Sequence, residues 1–215
     1  MNLPLILGCA AAGLAAGAAV APVAEWAAWP DEVRASRWVP IPVTGALFAL
    51  VAWRAGVTPA LPAFLYLAAA GVVLAVVDPA LHRLPDRIVL PSYPIAGGLL
   101  AAGALPGGDV RPLARAGLGA LALFAAYYLL AVAGGVGFGD VKLAGVLGLV
   151  LGWSGWPQVV LGAALAFVYG GLCSAMLLLA RRVGRKSRVP YGPFMLAGAL
   201  TAVVLGQAAA VTPLA

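Results

Sequence analysis

The chain has 215 residues, of which 64% are hydrophobic and only 9% are charged, and its formal net charge is +6. A soluble domain of this length cannot bury so much apolar surface, so the composition excludes a soluble globular protein and indicates an all-α polytopic membrane protein. The 28 glycines and 17 prolines lie among apolar runs of helix length, where membrane helices tolerate both residue types. Their abundance therefore does not indicate disorder.

Eight apolar segments are predicted to cross the membrane, because about 20 apolar residues span a bilayer as a helix. In chain order they cover residues 3–24, 40–55, 59–77, 87–105, 114–133, 140–153, 157–180 and 190–211. The second and sixth segments are short, so they are expected to be tilted or extended into a neighbouring loop. Met1 to Leu5 contains no Lys or Arg, so the first segment is expected to be a retained helix rather than a signal peptide. Together the segments predict a single membrane domain over residues 1–215.

Basic residues are distributed unevenly between the two sets of alternate loops. One set carries three of them, Arg54, Arg111 and Arg115. The other set carries ten: Arg34, Arg37, Arg83, Arg87, Lys142, Arg181, Arg182, Arg185, Lys186 and Arg188. Cytosolic loops are enriched in Lys and Arg, so the second set is predicted to face the cytosol, with both termini on the other side. The dense group from Arg181 to Arg188 is interpreted as a topology anchor near anionic lipid rather than as a nucleic-acid site.

Two aspartates, Asp78 and Asp140, lie at the ends of predicted segments on this cytosolic side. Ionisable groups near bilayer depth are costly and mark functional sites. Asp78 ends the third segment and Asp140 begins the sixth, so both lie at one interface although 62 positions separate them. If tertiary contact brings them together, the pair shares a proton, and one carboxylate can activate water while its neutral partner protonates a peptide carbonyl. The pair therefore predicts an aspartyl protease at a membrane surface.

The direction of the helices predicts different roles for the two aspartates. Asp140 opens a helix, where unpaired N–H groups and the positive dipole end favour a carboxylate, whereas Asp78 closes one. Asp140 is therefore predicted to be the ionised base and Asp78 the acid. Gly137 and Gly139 are expected to let the backbone bend and a neighbouring helix or substrate come close. Lys142 is expected either to favour the charged form of a nearby carboxylate or to mark the interface.

The remaining ionisable residues of the loops have simpler interpretations. Asp86 follows Pro85 and precedes an apolar run, so it is interpreted as the N-cap of the fourth helix. The others are interpreted as solvated or as parts of turns: Asp31, Glu32, His82 and Asp109. Cys9 and Cys173 lie in separate apolar runs, so neither a zinc site nor a disulfide is predicted.

Three motifs in the chain resemble those of the prepilin peptidases, also called type IV leader peptidases. Gly137-Phe138-Gly139-Asp140 resembles the GxGD motif of the family, and Asp78 followed by Leu84-Pro85-Asp86 resembles its first aspartate block. Pro190-Tyr191-Gly192-Pro193-Phe194 resembles the proline and glycine block that opens its last helix. The motifs follow the order of the family within a matching eight-helix topology, so the resemblance covers roughly residues 65–200, the predicted peptidase core.

The resemblance implies a membrane aspartic endopeptidase that cleaves the leader from type IV prepilins or pseudopilins at the cytosolic face of the inner membrane. It implies Asp78 and Asp140 as the catalytic pair and involves no metal or organic cofactor. The residues that it implies as shaping the site are Gly137, Gly139, Lys142, Pro85, Asp86, Pro190, Gly192 and Pro193. The implied partners are prepilin or pseudopilin substrates and the lipid bilayer, and not nucleic acid. The oligomeric state does not follow from the sequence.

The chain departs from the family pattern at two places. Many members carry a zinc-binding insert with paired CxxC motifs after the first helix, linked to N-methylation, whereas the loop at about 25–39 contains no cysteine here. Methyltransferase activity is therefore predicted to be absent. Many members also have a second aspartate where this chain has Ala80.

Two other functions stay open at this point. An archaeal preflagellin-type GxGD peptidase would share the chemistry and differ in substrate. A proton-coupled transporter would use Asp78 and Asp140 as a proton relay, although no internal repeat of the kind that transporters often contain is evident.

Overall fold

A computed structural model describes residues 2–29, 31, 33, 36–180 and 190–209, without the side chains of residues 207–209. Every regular element in this part of the chain is helical, which confirms the all-α fold class. The helices are α1 (Leu3–Ala28), α2 (Pro40–Ala55), α3 (Leu61–Leu81), α4 (Asp86–Ala104), α5 (Arg111–Val132), α6 (Phe138–Ser154), α7 (Trp156–Leu179) and α8 (Gly192–Ala209). A short 3-10 turn, Leu105–Gly107, follows α4.

All eight predicted segments form helices, and five helical stretches are long and apolar enough to cross a membrane. These five are Leu3–Ala28, Leu61–Leu81, Asp86–Gly107, Arg111–Val132 and Trp156–Leu179. Pro40–Ala55 and Gly192–Gly206 are apolar but shorter, and α6 has 17 residues. A helix of that length measures about 25 Å, a little less than the hydrocarbon thickness of a bilayer. The chain is therefore an integral membrane protein, with membrane crossing supported for five of the eight helices.

The end of α3 differs from the prediction in a way that matters for Asp78. The helix continues to Leu81, so Asp78 lies inside its last turn rather than just after it. The Asp78 carbonyl accepts a hydrogen bond from the backbone N–H of His82 at 2.7 Å, and this bond closes the last turn of α3. His82 then adopts a left-handed conformation, with φ of 51°, and ends the helix.

The neighbouring helix pairs α1/α2, α5/α6 and α7/α8 pack closely through small residues. Between α5 and α6, a Cβ added to Gly119 would lie 2.6 Å from the Gly148 carbonyl oxygen. A Cβ added to Gly152 would lie 2.5 Å from the carbonyl oxygen of Arg115. Lipid supplies no hydrophobic force between helices, so van der Waals contact of this closeness is what holds α6 against α5.

Successive helices alternate in direction, so one end of the bundle collects the carboxyl ends of α1, α3, α5 and α7 and the amino ends of the others. This end, which contains Asp78 and Asp140, is called the site end below. At the opposite end, Arg54 donates to the Val204 carbonyl at 2.9 and 3.0 Å. Arg115 donates to the Gly152 carbonyl at 2.7 Å. Arg115 thereby satisfies a carbonyl group in the last turn of α6, whereas the Val204 carbonyl lies five residues before the end of α8.

The basic residues in the described part of the chain segregate between the two ends as predicted. Arg54, Arg111 and Arg115 belong to the end opposite the site. The cations of the other set that the structure describes lie at the site end: Arg37, Arg83, Arg87 and Lys142. The remaining basic residues of that set lie outside the described residues: Arg34, Arg181, Arg182, Arg185, Lys186 and Arg188. Glu32 also lies outside them.

The glycine contact between α5 and α6 predicts a selective effect of one added methyl group. Gly148→Ala forces a Cβ into the backbone of Gly119, which cannot move aside as a flexible side chain would, and we expect a loss of about 1–3 kcal/mol of stability. Gly117→Ala on α5 is the matched control, because a Cβ there meets nothing within 4 Å. Thermal unfolding of the purified protein in detergent measures both variants. Equal melting temperatures for the two would contradict the packing.

Candidate active site

Asp78 is buried near the site end, with 4% of its surface exposed. Its Oδ2 accepts a hydrogen bond from the backbone N–H of Gly192 at 3.0 Å. Gly192 is the first residue of α8, so its N–H has no partner within that helix, and Asp78 caps α8 from a distant part of the chain. Asp78 therefore lies beside the positive end of α8, although it also belongs to the last turn of α3.

Asp140 is the third residue of α6 and is half-buried, as expected for an aspartate that opens a helix. Its Oδ2 accepts the backbone N–H of Gly137, the N-cap residue, at 3.2 Å. A full capping box has a second hydrogen bond, from the backbone N–H of the third helical residue to the N-cap side chain. Gly137 has no side chain to accept it, so only the bond to the Asp140 carboxylate is present. Each of the two aspartates thus accepts a backbone N–H at the start of a helix.

The loop between α3 and α4 brings the two aspartates into one site through Leu84, which is buried with 6% of its surface exposed. A Cβ added to Gly139 would lie 3.2 Å from the Leu84 Cβ. A Cβ added to Gly192 would lie 3.2 Å from the Leu84 Cδ2 and 2.8 Å from the Asp78 Oδ2. Glycine at these two positions therefore allows the starts of α6 and α8 to close around Leu84.

Asp78 and Asp140 line a single open cavity of about 800 Å³ at the site end. A cavity of this size falls in the range of ligand-binding sites in proteins. Its walls come from the end of α3 with the following loop, the segment before α6, the second half of α7 and the start of α8. The lining residues are Asp78, His82, Arg83, Leu84, Gly134, Gly135, Val136, Gly137, Phe138, Gly139, Asp140, Phe167, Gly170, Gly171, Ser174, Leu178, Pro190, Tyr191 and Phe194.

One wall of this cavity is aromatic, a feature that sequence reasoning missed. The ring of Phe167 lies 5.7 Å from those of Tyr127 and Tyr191, and Tyr191 lies 6.5 Å from Phe194. The Tyr191 hydroxyl is buried and has no hydrogen-bond partner among the described residues. Burial raises the pKa of Tyr191 above its usual range, so the hydroxyl keeps its proton. Tyr191 lines the same cavity as the two carboxylates, with the ring of Tyr127 packed 6.4 Å from its own.

Asp86 does not have the role that its sequence position suggested. Pro85 occupies the N-cap of α4 and Asp86 is the first helical residue, so the interpretation of Asp86 as an N-cap is wrong. Its carboxylate instead meets the Lys142 Nζ at 2.7 and 2.8 Å, because the start of α6 lies beside the start of α4. Tyr93, seven residues after Asp86, donates its hydroxyl to the Lys142 carbonyl at 2.7 Å. This spacing places Tyr93 on the same helix face as Asp86, so the sequence contains the signal that both residues face the same neighbour.

The other residues considered from the sequence lie around the mouth of the site or away from it. Asp31 is exposed and forms an ion pair with Arg83, and His82 is exposed while lining the cavity. Cys9 and Cys173 are free cysteines on α1 and α7. Within the described residues, no three His, Cys, Asp or Glu side chains lie close enough to hold a metal ion.

The type IV leader peptidase family matches residues 65–174, just over half of the chain, which includes both cavity aspartates. This chain belongs to the type IV leader peptidase family. The matched region also contains Asp86 and Lys142, but it ends before Gly192. Both carboxylates therefore lie within the family match, whereas Gly192, whose backbone N–H holds Asp78, lies beyond it.

Similar proteins carry the name Prepilin leader peptidase/N-methyltransferase. The one from Aeromonas salmonicida (strain A449) is 35% identical over 143 residues, which is 63% of this chain and 46% of that protein. The one from Bacillus subtilis (strain 168) is 33% identical over 173 residues, 77% of this chain and 64% of that protein. The one from Pseudomonas putida is 32% identical over 165 residues, 74% of this chain and 54% of that protein. The chain thus spans about half to two thirds of these relatives, and no solved structure matches it.

Because the second half of α7 lines the cavity, we expect water to reach Ser174 on that helix. Ser174→Cys, in a Cys9→Ser and Cys173→Ser background, places a thiol on the cavity wall, and we expect it to react with a water-soluble maleimide because thiolate formation needs water. Ala164→Cys is the matched control, since Ala164 is exposed on the same helix but lies outside the cavity, where we expect lipid or detergent to cover it. Labelling is measured as the mass shift of the purified protein. A reactive position 164 or an inert position 174 would contradict the described cavity.

Proposed function

We propose that this chain is a membrane aspartic endopeptidase that removes the leader from type IV prepilins or pseudopilins. One observation carries the proposal: Asp78 and Asp140 belong to helices far apart in the chain, yet they line one open cavity. Membership of the type IV leader peptidase family and the names of the relatives support the substrate class.

The chemistry that we propose uses the two carboxylates in complementary protonation states. One carboxylate takes a proton from a water molecule in the cavity, and that water attacks the carbonyl carbon of the scissile peptide. The other, neutral at that moment, donates its proton to the carbonyl oxygen. The buried Tyr191 hydroxyl is a further donor on the same cavity wall.

The proposed roles are Asp140 as the base and Asp78 as the acid. Helix direction alone does not support this division, because each carboxylate accepts a backbone N–H at the start of a helix. Exposure does support it, since Asp140 is half-buried whereas Asp78 is 4% exposed. The base must contact the attacking water, and Asp140 is the aspartate that water reaches more easily. Infrared titration of the wild type, with each carboxyl band assigned by its loss in Asp78→Asn or Asp140→Asn, tests the division, which fails if Asp140 retains the shared proton.

We further propose that the site end faces the cytosol, with both termini on the other side of the cytoplasmic membrane. The segregation of basic residues supports this orientation, because Lys and Arg are enriched in cytosolic loops. A prepilin would then present its leader at the cavity while its apolar helix stays in the bilayer. An impermeant maleimide should label Ser174→Cys in inverted vesicles and leave it unlabelled in intact spheroplasts.

The proposal predicts which substitutions abolish cleavage. We expect Asp78→Ala and Asp140→Ala to lose prepilin processing, because water activation and protonation of the carbonyl need both carboxylates. Asp86→Ala is expected to keep most processing in an endpoint assay, since Asp86 lies outside the cavity and is paired with Lys142. Co-expression of each variant with a prepilin in membranes, followed by the size of the pilin, measures the effect.

The same experiment separates the proposal from its rival. Processing that survives in Asp78→Ala or Asp140→Ala would make the catalytic assignment wrong. A wild-type chain that leaves several different prepilins uncut would favour a proton-coupled transporter, and proton flux in vesicles would then be measured.

We also propose that the chain does not methylate the new N-terminus, although its relatives carry N-methyltransferase in their names. The loop at about 25–39 contains no cysteine, so it supplies no thiolate ligands of the kind that a zinc-binding insert requires. We expect the cleaved pilin, made in the presence of S-adenosylmethionine, to have an unmodified N-terminal mass. A product heavier by one methyl group would contradict this proposal.

A further inference from the structure

The two helices that carry the catalytic aspartates barely touch each other. Two other helices, α4 and α8, pack against both α3 and α6. The start of α8 holds the carboxylate of Asp78 through Gly192. The start of α4 follows Asp78 after a short loop. The position of Asp140 relative to Asp78 therefore depends on α4 and α8 together, and the start of α4 is the part that a short loop joins to Asp78.

Two polar contacts join α4 to α6, and both meet at Lys142. The Lys142 ammonium binds both oxygens of Asp86, and the Lys142 carbonyl accepts the hydroxyl of Tyr93. The ring end of Tyr93 also lies directly against Gly145, one turn further along α6. Lys142 is only two residues from Asp140, so this attachment acts within one helical turn of the proposed base.

Resting on the proposed function, we propose that Asp86 and Lys142 are positioning residues whose ion pair sets the separation of Asp78 and Asp140. The ion pair completes a short connection between the two aspartates. The connection runs along the chain from Asp78 through the loop that contains Leu84 to Asp86, then through the ion pair to Lys142, which is two residues from Asp140. Its side chains remain 54% and 33% exposed, and ion pairs with this exposure contribute little to stability. The pair therefore adds little to the stability of the bundle, and the effect that we propose for it is on the geometry of the site.

Reversal of the two charges tests this proposal. Asp86→Lys and Lys142→Asp each place like charges together, and we expect kcat to fall about 10- to 100-fold, because a displacement of about 1 Å at a catalytic group has effects of this size. The swap Asp86→Lys/Lys142→Asp restores opposite charges, and its kcat should return to within about threefold of wild type. KM and the melting temperature should change little in all three variants. Asp86→Ala removes one charge without creating repulsion, so it should slow the initial rate while endpoint processing continues.

Asp109→Lys is the matched control for the change of charge. Asp109 is exposed in the loop before α5, at the end opposite the site, where its carboxylate accepts the backbone N–H of Arg111. Its kcat and KM should equal those of the wild type. If Lys142 instead acted through its charge on Asp140, Asp86→Lys would cleave normally and the swap would be as slow as Lys142→Asp alone. That pattern would overturn the positioning role.

A distance measurement keeps this test independent of cleavage. Spin labels at positions 80 and 133, in a cysteine-free background, report on the end of α3 and on the end of α5, which packs tightly against α6. Both alanines are exposed and lie outside the cavity lining. We expect narrow distance distributions in the wild type and in the swap, and broad or shifted ones in the two single reversals. Unchanged distances in the single variants would overturn the proposal, whereas an inactive wild type with the expected distances would overturn only the proposed function.

Discussion

The structure depends on the need to satisfy two carboxylates in a protein that is mostly surrounded by lipid. The hydrocarbon core supplies no water to solvate a polar group, so partners must come from the protein itself. Within a helix the backbone N–H groups are already used, and only those of the first turn are free. Asp78 and Asp140 both take such a free N–H, from Gly192 and Gly137 respectively. The site therefore lies where three helix ends meet, and an aspartate in the middle of the bundle would have found no equivalent partner.

This arrangement requires helix ends to approach more closely than most side chains permit. Leu84 fills the space between the starts of α6 and α8, and glycine at positions 139 and 192 leaves room for it. The contact between α5 and α6 through Gly119 and Gly148 serves the same purpose at a distance, because it holds α6 on a rigid neighbour. The glycines at these contacts thus have a specific physical function, which is to let helices approach closely where lipid supplies no hydrophobic force between them.

The sequence predicted well those features that depend on one segment at a time. Apolar runs have the length of a bilayer, so eight helices and the positions of Asp78 and Asp140 near helix ends follow from the chain alone. Features that depend on two distant segments were not predicted. Local rules predict an N-cap role for Asp86, whereas its carboxylate meets Lys142, 56 positions away. The hydrogen bond from the Gly192 N–H to the Asp78 carboxylate joins residues 114 positions apart, and no local sequence pattern predicts it.

The roles of the two aspartates show how such a long-range contact changes a local argument. Helix direction places Asp78 at the negative end of α3, so the sequence predicts different electrostatic environments for Asp78 and Asp140. The structure places the same carboxylate at the positive end of α8, so the two aspartates have similar backbone environments. What still separates them is access to water, since Asp78 is almost completely enclosed and Asp140 is not. A mechanism that divides the work between them must therefore depend on this difference in exposure, which Leu84 and the start of α8 create by covering Asp78.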